Sequence, residues 1–218
     1  MAKKKLIGYD LDGTLVDTRR DIICGVRHML AELKKPVLTD VEIEKFVGEG
    51  LHHLVAMAMG ETDPKAVERG ARILRKYYEA HLLDFTRLYP QAQETLERFK
   101  EQIQVVVTNK PEPFTSRILN ELKVMPYLSG VFTGGNGFPH KPDPSALMHV
   151  MREHGIAAKD VLWIGDSAVD AQTGKNAGVE TVLLRHGFAS RHRLEDLGAE
   201  YLVNDFSAFL KLAEQQGW

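Results

Sequence analysis

The chain has 218 residues, 44% of them hydrophobic and 27% charged, enough apolar material for one well-buried domain or for a core carrying a smaller insert. A formal charge of -2 and a pI near 6.5 argue against a nucleic-acid partner, and no apolar run reaches membrane-spanning length. Cys24 is the only cysteine, which excludes an intrachain disulfide and agrees with a reducing, cytoplasmic setting.

Lys3-Lys4-Lys5 reads as a solvated tail, and the apolar residues behind it are stopped at Asp10 and Asp12, too early for a signal peptide. Lys5 to Tyr9 is a short apolar run that predicts a buried strand. From Thr18 to Leu33 the spacing of Ile22, Val26, Met29, Leu30 and Leu33 predicts a helix with one buried face. Thr39-Asp40 can cap a short helix through Val47, and Leu51 to Met59 and Pro64 to Leu83 are two more amphipathic helices. The stretch from about Arg19 to Arg87 thus contains helices and no convincing strand. After Tyr89-Pro90 the rhythm alternates. Helices are expected over 92–99, 113–122, 144–154, 168–177 and 206–215, and strands over 103–107, 131–132, 161–164 and 181–184. Alternation of this kind implies a Rossmann-like parallel α/β sheet covered on both faces, split after its first strand by an all-helical insertion.

In such sheets chemistry gathers at the carboxyl ends of the strands. The first strand ends in Asp10-Leu11-Asp12-Gly13-Thr14-Leu15. In extended chain Asp10 and Asp12 project from the same side, and two carboxylates so placed repel unless a cation or a proton separates their roles. A single Asp here would be an ordinary loop or capping residue; the pair before Gly-Thr points to chemistry. The next strand ends in Thr108-Asn109, neutral donors suited to an anion, and Lys141-Pro142 follows the third. The fourth ends in Gly165-Asp166-Ser167, with Asp170 four residues beyond Asp166; Asp166 can complete an oxygen set for Mg²⁺ while Ser167 caps the following helix. Taken singly, the last three are as well explained as a turn, a solvated lysine and a cap. Core packing alone does not generate the ordered series.

The series resembles the haloacid dehalogenase superfamily. Asp10 to Leu15 matches its first motif, Thr108-Asn109 the second, Lys141-Pro142 the third, and Gly165-Asp166-Ser167 with Asp170 the fourth. The resemblance implies a three-layer parallel sheet over residues 1–17 and 88–218, with a helical cap over 18–87. It implies a Mg²⁺-dependent phosphomonoester phosphatase that works through an aspartyl-phosphate. Asp10 would be the nucleophile, and Asp12 the acid that protonates the leaving alkoxide and then the base that activates water. Thr108 and Asn109 would hold the phosphoryl group and Lys141 would neutralise it. Asp10, Asp166 and the backbone carbonyl of Asp12 would bind the metal, with Asp170 orienting Lys141 or supporting the metal shell.

Gly48-Glu49-Gly50-Leu51, Tyr89-Pro90 and Thr108-Asn109-Lys110-Pro111 resemble the phosphoglycolate phosphatases of this superfamily, which makes 2-phosphoglycolate the leading substrate. Three features depart from that pattern: Tyr9 in place of a Phe, Gly174-Lys175, and His186-Gly187-Phe188. A sugar phosphomutase and a nucleotide or pyrophosphate phosphatase are the alternatives, with a binding protein that has lost the chemistry further behind. Asp12 argues against a dehalogenase. The expected partner is a small phosphorylated metabolite, with no nucleic acid or membrane, on a monomer or homodimer. Arg19, Arg20, His52 and His53 are candidates for substrate contact that ordinary surface pairs explain equally well, while Met57 and Met59 read as packing of the helical insert.

Overall fold

The protein is described from a computed structural model, over residues 3–135, 137–188 and 194–218. Strand β1 (Leu6–Tyr9) is followed by the two-residue β2 (Val16–Asp17), then by helices α1 (Arg19–Glu32), α2 (Asp40–Glu44), α3 (Leu51–Met59) and α4 (Pro64–Ala80). β3 (Arg87–Leu88) leads back into the alternating half. There α5 (Ala92–Arg98), β4 (Ile103–Thr108), α6 (Phe114–Glu121), β5 (Gly130–Thr133) and α7 (Ser145–Glu153) precede β6 (Val161–Gly165). α8 (Ala168–Ala177), β7 (Glu180–Leu184), β8 (Tyr201–Val203) and α9 (Phe206–Gln216) complete it.

Among the described residues six strands form one sheet in the order β5-β4-β1-β6-β7-β8, every neighbouring pair parallel. The strands are nearly continuous apolar runs because both faces are covered, as parallel sheets require. Alternate residues serve opposite layers. Ile7 and Tyr9 of β1 join Leu96, Ile118 and Phe209 of the helices on one face, whereas Leu6, Val105 and Trp163 pack with Leu147 and Val150 on the other. A Cβ on Gly8 would stand 2.8 Å from Cε3 of Trp163, so a bare backbone in the central strand makes room for the indole. Tyr9 gives its hydroxyl a buried partner, donating to Gln104 Oε1 at 2.9 Å, while Gln104 Nε2 donates to the Leu96 carbonyl. The extra polar atom at this position is therefore matched by a neighbouring strand, which is what makes a buried tyrosine tolerable.

Helix α4 approaches α1 closely where Gly25 faces Leu74, and approaches α3 where Gly70 faces Met59 and Val55. Thr39 and Glu42 form a capping box at α2, and Asp63 accepts from the first turn of α4, which begins with Pro64. Asp21 is buried in α1 and accepts from the backbone of Phe85 and Thr86 and from the Thr86 hydroxyl at 2.7 Å. It ties the start of the helical insertion to its end. Met59 packs in the helical interior, but Met57 is exposed, so that pair is divided between core and surface.

The N-terminal lysines are a solvated tail only in part: Lys3 and Lys5 are exposed, Lys4 is not. Lys4 is buried: its ammonium meets Glu180 at 2.9 Å and the Lys159 carbonyl at 2.8 Å, with the Trp218 ring 5.7 Å away, and Lys5 pairs with Asp160 at 3.0 Å. An apolar stem and a pairable head let a lysine close the end of a sheet. Three short strands also escape a periodicity reading. β8 is only three residues long and forms by pairing with β7, while β2 and β3 form a two-residue antiparallel ribbon where the chain leaves and rejoins the sheet. Helices α2 and α4 end three residues short of their expected limits, at Glu44 and Ala80. Among the described residues no helix is long and apolar enough to cross a membrane.

Candidate active site

The sheet order sets the site. β1 is central, with β4 on one side and β6 on the other, so the residues just past these three strands are neighbours in space. Asp10, Thr108 and Asp166 occupy those ends, and Lys141 arrives on the connection after β5. All four are buried, as is Asp170 in the first turn of α8. Gly13 has φ +86° and turns the chain beside Asp166; a Cβ there would stand 2.5 Å from Asp166 Oδ2. The turn needs both the backbone freedom and the missing side chain of glycine.

Lys141 Nζ lies 2.7 Å from Asp10 Oδ1 and 2.7 Å from Asp170 Oδ1. Asp170 is fully engaged, because its other oxygen accepts from the backbone N–H of Asp166 and Ser167 and from the Ser167 hydroxyl. Ser167 in turn caps α8, so capping and site construction coexist. Asp166 accepts from the Thr14 hydroxyl at 2.8 Å and from the Phe188 N–H at 2.8 Å. Asp10 Oδ1 is buried, and Lys141 reaches it as an ion pair with no further hydrogen-bond donor among the described residues.

Oxygens of Asp10, Asp166 and Asp170 lie within 4.8 Å of one another. Of these three buried carboxylates Lys141 pairs with two, Asp10 and Asp170, and among the described residues Asp166 has no cation of its own, an imbalance with an electrostatic signature. Burial first, opposed by Lys141 and reinforced by Asp170 and Asp12, pushes the Asp10 carboxyl up to about 7. Burial and the repulsion of Asp170 and Asp10 likewise push Asp166 well above the usual carboxylate range. Burial works to lower Lys141, but the Asp10 and Asp170 carboxylates together hold it above its ordinary value. The residues fit a divalent cation: beyond its ion pair with Lys141, the buried Asp10 Oδ1 has no hydrogen-bond partner among the described residues, and an oxygen-only donor set suits a hard ion. Asp170, whose oxygens are already taken, stands behind the pair.

Protons compete with such a cation for Asp10, and more strongly as the pH falls below 7. Mg²⁺ is accordingly expected to raise the thermal unfolding temperature more at pH 7.5 than at pH 5.5. Thermal scans with 5 mM Mg²⁺ and with EDTA check this without any substrate, and equal shifts at both pH values would count against the assignment.

A cleft opens between these strand ends and the helices, lined by Asp10, Asp12, Thr108, Asn109 and Lys110 on the sheet side and by apolar side chains such as Leu51 and Leu54 on the other. Its cavity volume of about 80 Å³ leaves room for several waters or a small ligand. Asn109 lines the cleft with its amide committed: Nδ2 donates to the carbonyls of Gly48 and Lys141, and Oδ1 accepts from Lys141 N–H. It braces Lys141 and the Gly48 loop. Thr108 Oγ1 accepts from the Lys110 N–H, and its own hydrogen has no acceptor among the described residues.

Lys110 carries more of the site than its position in the sequence suggests. Its ammonium contacts both Asp12 oxygens, at 3.0 and 3.2 Å, and the Tyr78 hydroxyl of α4 at 2.9 Å. Asp12 also accepts from the Thr18 hydroxyl at 2.7 Å. Only its place between Asn109 and Pro111 marked Lys110 beforehand. His186-Gly187-Phe188 likewise packs against the site, with the Phe188 N–H on Asp166. His186 stacks on Tyr89 with centroids 3.8 Å apart, and a Cβ on Gly187 would collide with Asp166. Gly174 is small because α8 rests there on Thr181 and Trp163.

The other candidates are engaged with other partners. Arg19 donates to the carbonyls of His186 and Gly187, and Arg20 stacks 3.5 Å from the Phe85 ring centroid. His52 pairs with Glu68, and His53 lies 3.6 Å from Glu49.

A family model described as haloacid dehalogenase-like hydrolase matches residues 7–184. The chain belongs to that family. Within it the chain stands with the phosphatases. It is 36% identical to the phosphoglycolate phosphatase of Pseudomonas syringae pv. tomato, over 92% of this chain and 76% of that one. It is 32% identical to the phosphoglycolate phosphatase of Mannheimia succiniciproducens, over 95% and 97%. A crystal structure described as a predicted phosphoglycolate phosphatase from Haemophilus somnus superposes with a TM-score of 0.92 at 28% identity, covering 98% of this chain and 99% of that one. The α/β fold of this haloacid dehalogenase-like phosphatase is thus shared with solved relatives.

Proposed function

We propose that the protein is a Mg²⁺-dependent phosphomonoesterase that works through an aspartyl-phosphate on Asp10, with 2-phosphoglycolate as its substrate. The observation that carries the reading is the buried Asp10, held between Lys141 and Asp166 at the floor of a cleft whose next carboxylate is Asp12. Asp10 attacks phosphorus as the ester P–O bond breaks, and Asp12 gives its proton to the departing alkoxide. Asp12 then takes a proton from water, whose oxygen attacks the phosphoryl group and releases Asp10 and inorganic phosphate. Asp10, Asp166 and the Asp12 carbonyl would hold the Mg²⁺, which when bound lets a carboxylate approach a phosphate dianion. The Thr108 hydroxyl donates to a phosphoryl oxygen, while Asn109 holds Lys141 in line. Residues 18–87 act as the cap that excludes water from the cleft. Cys24, free and half-buried, suits a reducing cytoplasm.

The named activity of the aligned relatives supports the substrate. Phosphate release from a panel of esters, with Mg²⁺ and with EDTA, tests it. Release should fall at least about a hundredfold in EDTA and be greatest on 2-phosphoglycolate. Folded protein that releases phosphate from none of the esters would remove the reading.

A further inference from the structure

A substrate of this cleft that carries a second negative charge must place it somewhere. The wall opposite the strand ends is largely apolar, and an uncompensated charge left there would be costly. Two cations line the cleft among the described residues, Lys110 and Arg75. They are held differently. Arg75 is 38% exposed and bonded to Glu68 at 3.1 Å, with His52 at 3.5 Å, so it lies toward solvent and is already occupied. The Lys110 side chain is 5% exposed and its ammonium touches Asp12, the group that faces the leaving oxygen in the proposed reaction. A short ester that presents its bridging oxygen to Asp12 brings the next substituent beside Lys110.

The Lys110 head is also built to accept such a group. Its backbone N–H is fixed by Thr108 Oγ1 and its carbonyl by the Thr115 hydroxyl at 3.0 Å. Tyr78 places both its hydroxyl, at 2.9 Å, and its ring face, at 4.6 Å, against the ammonium, and Phe114 packs edge-on against that ring. Two of the directions around the nitrogen point at a single carboxylate, Asp12. An ammonium is a rotatable point charge, so one of these contacts can pass to a second anion without loss of the other.

We infer that Lys110 is the specificity-determining residue of this site, receiving the carboxylate of a short phosphate ester while Tyr78 holds its ammonium toward the cleft. The inference rests on the phosphatase reading above and names the substrate class that this site selects: phosphate esters with an anionic group one or two carbons from the bridging oxygen. Lys110 and Tyr78 come from opposite sides of the cleft, so substrate selection depends on the helices being seated on the sheet.

The test compares kcat and KM for 2-phosphoglycolate and for its uncharged amide, in the wild type and in Lys110→Met, Lys110→Arg and Tyr78→Phe. In Lys110→Met the ratio of kcat/KM for the acid over the amide should fall by about thirtyfold or more, chiefly through KM. Lys110→Arg should restore part of that ratio, since it returns a cation to the same place. Tyr78→Phe, which leaves the Lys110–Asp12 pair in place, should lower the ratio in the same direction by about threefold. An unchanged ratio in Lys110→Met, or equal losses on both substrates, would overturn the inference and leave Lys110 as a partner of Asp12 alone, with the phosphatase reading intact. Wild-type protein that hydrolyses neither these nor any other ester would remove both.

Discussion

Asp10→Asn is expected to reduce phosphate release by on the order of 10⁴-fold or more while leaving the fold as stable as the wild type, or more stable, at pH 7.5. The loss follows from chemistry: an amide of the same shape cannot attack phosphorus and is only a weaker, uncharged ligand for a cation. The stability outcome follows from the sign of the electrostatics. Burial, then the neighbouring carboxylates, push the Asp10 carboxyl up to about 7 despite Lys141. Its ordinary unfolded value is near 3.9. The folded state therefore binds the proton more tightly, and metal-free stability declines as pH rises from about 4 to 7. Above that range the ionised form is the costly one, and asparagine removes that cost. Lys141 keeps its second partner, Asp170, at 2.7 Å. Phosphate release and thermal unfolding in EDTA, measured on the same preparation, check the two halves. Activity within tenfold of the wild type would show that the nucleophile lies elsewhere.

Lys141→Met should do the opposite to stability. Its ammonium is almost wholly buried and serves two carboxylates, neither of which has another cation to turn to among the described residues. Removing one member of a buried pair costs about 3–5 kcal/mol. The pH dependence separates this from simple loss of packing. Lys141 lowers the Asp10 carboxyl, so without it that carboxyl is pushed above its wild-type value of about 7. At pH 5.5 both proteins hold the proton and the penalty shrinks. At pH 7.5 the wild type ionises against its ammonium, whereas the variant must keep the proton or bear an uncompensated charge. Urea unfolding at the two pH values should show the larger deficit at pH 7.5. Activity should fall at least about a thousandfold, since a preorganised charge beside the phosphoryl group is lost. A deficit that is the same at both pH values would mean that Lys141 acts through packing and not through its charge. Asp10→Asn and Lys141→Met thus form a pair in which both kill activity but only one weakens the fold.

Much of this design is local and therefore legible in one dimension. Alternating helical and strand periods, a capping box at Thr39, a cap at Ser167 and aspartates two apart at a strand end all depend on residues within about one turn of each other. So does the position of the helical insertion, because the strand rhythm stops after β1 and resumes near Tyr89. The spacing of Asp10, Thr108, Lys141 and Asp166 could be read as a series for the same reason: each follows its own strand. What the spacing could not supply was partnership. Thr14 donates to Asp166 across 152 positions, Lys110 to Asp12 across 98, and Tyr9 to Gln104 across 95. No local pattern distinguishes Lys110 from a solvated lysine, or Lys4 from a basic tail. β8 exists only because β7 lies beside it, and the Arg87–Leu88 strand only because β2 returns to meet it. Asn109 offered a plausible phosphate donor in sequence, and tertiary packing spent its amide on Gly48 and Lys141. Composition and period determine which segments become strands and helices, since those depend on backbone dihedrals and on one buried face. The charge pairs are decided only when the sheet order sets β4 and β6 on either side of β1, because a Coulomb interaction in a buried site depends on distance in space, not separation along the chain.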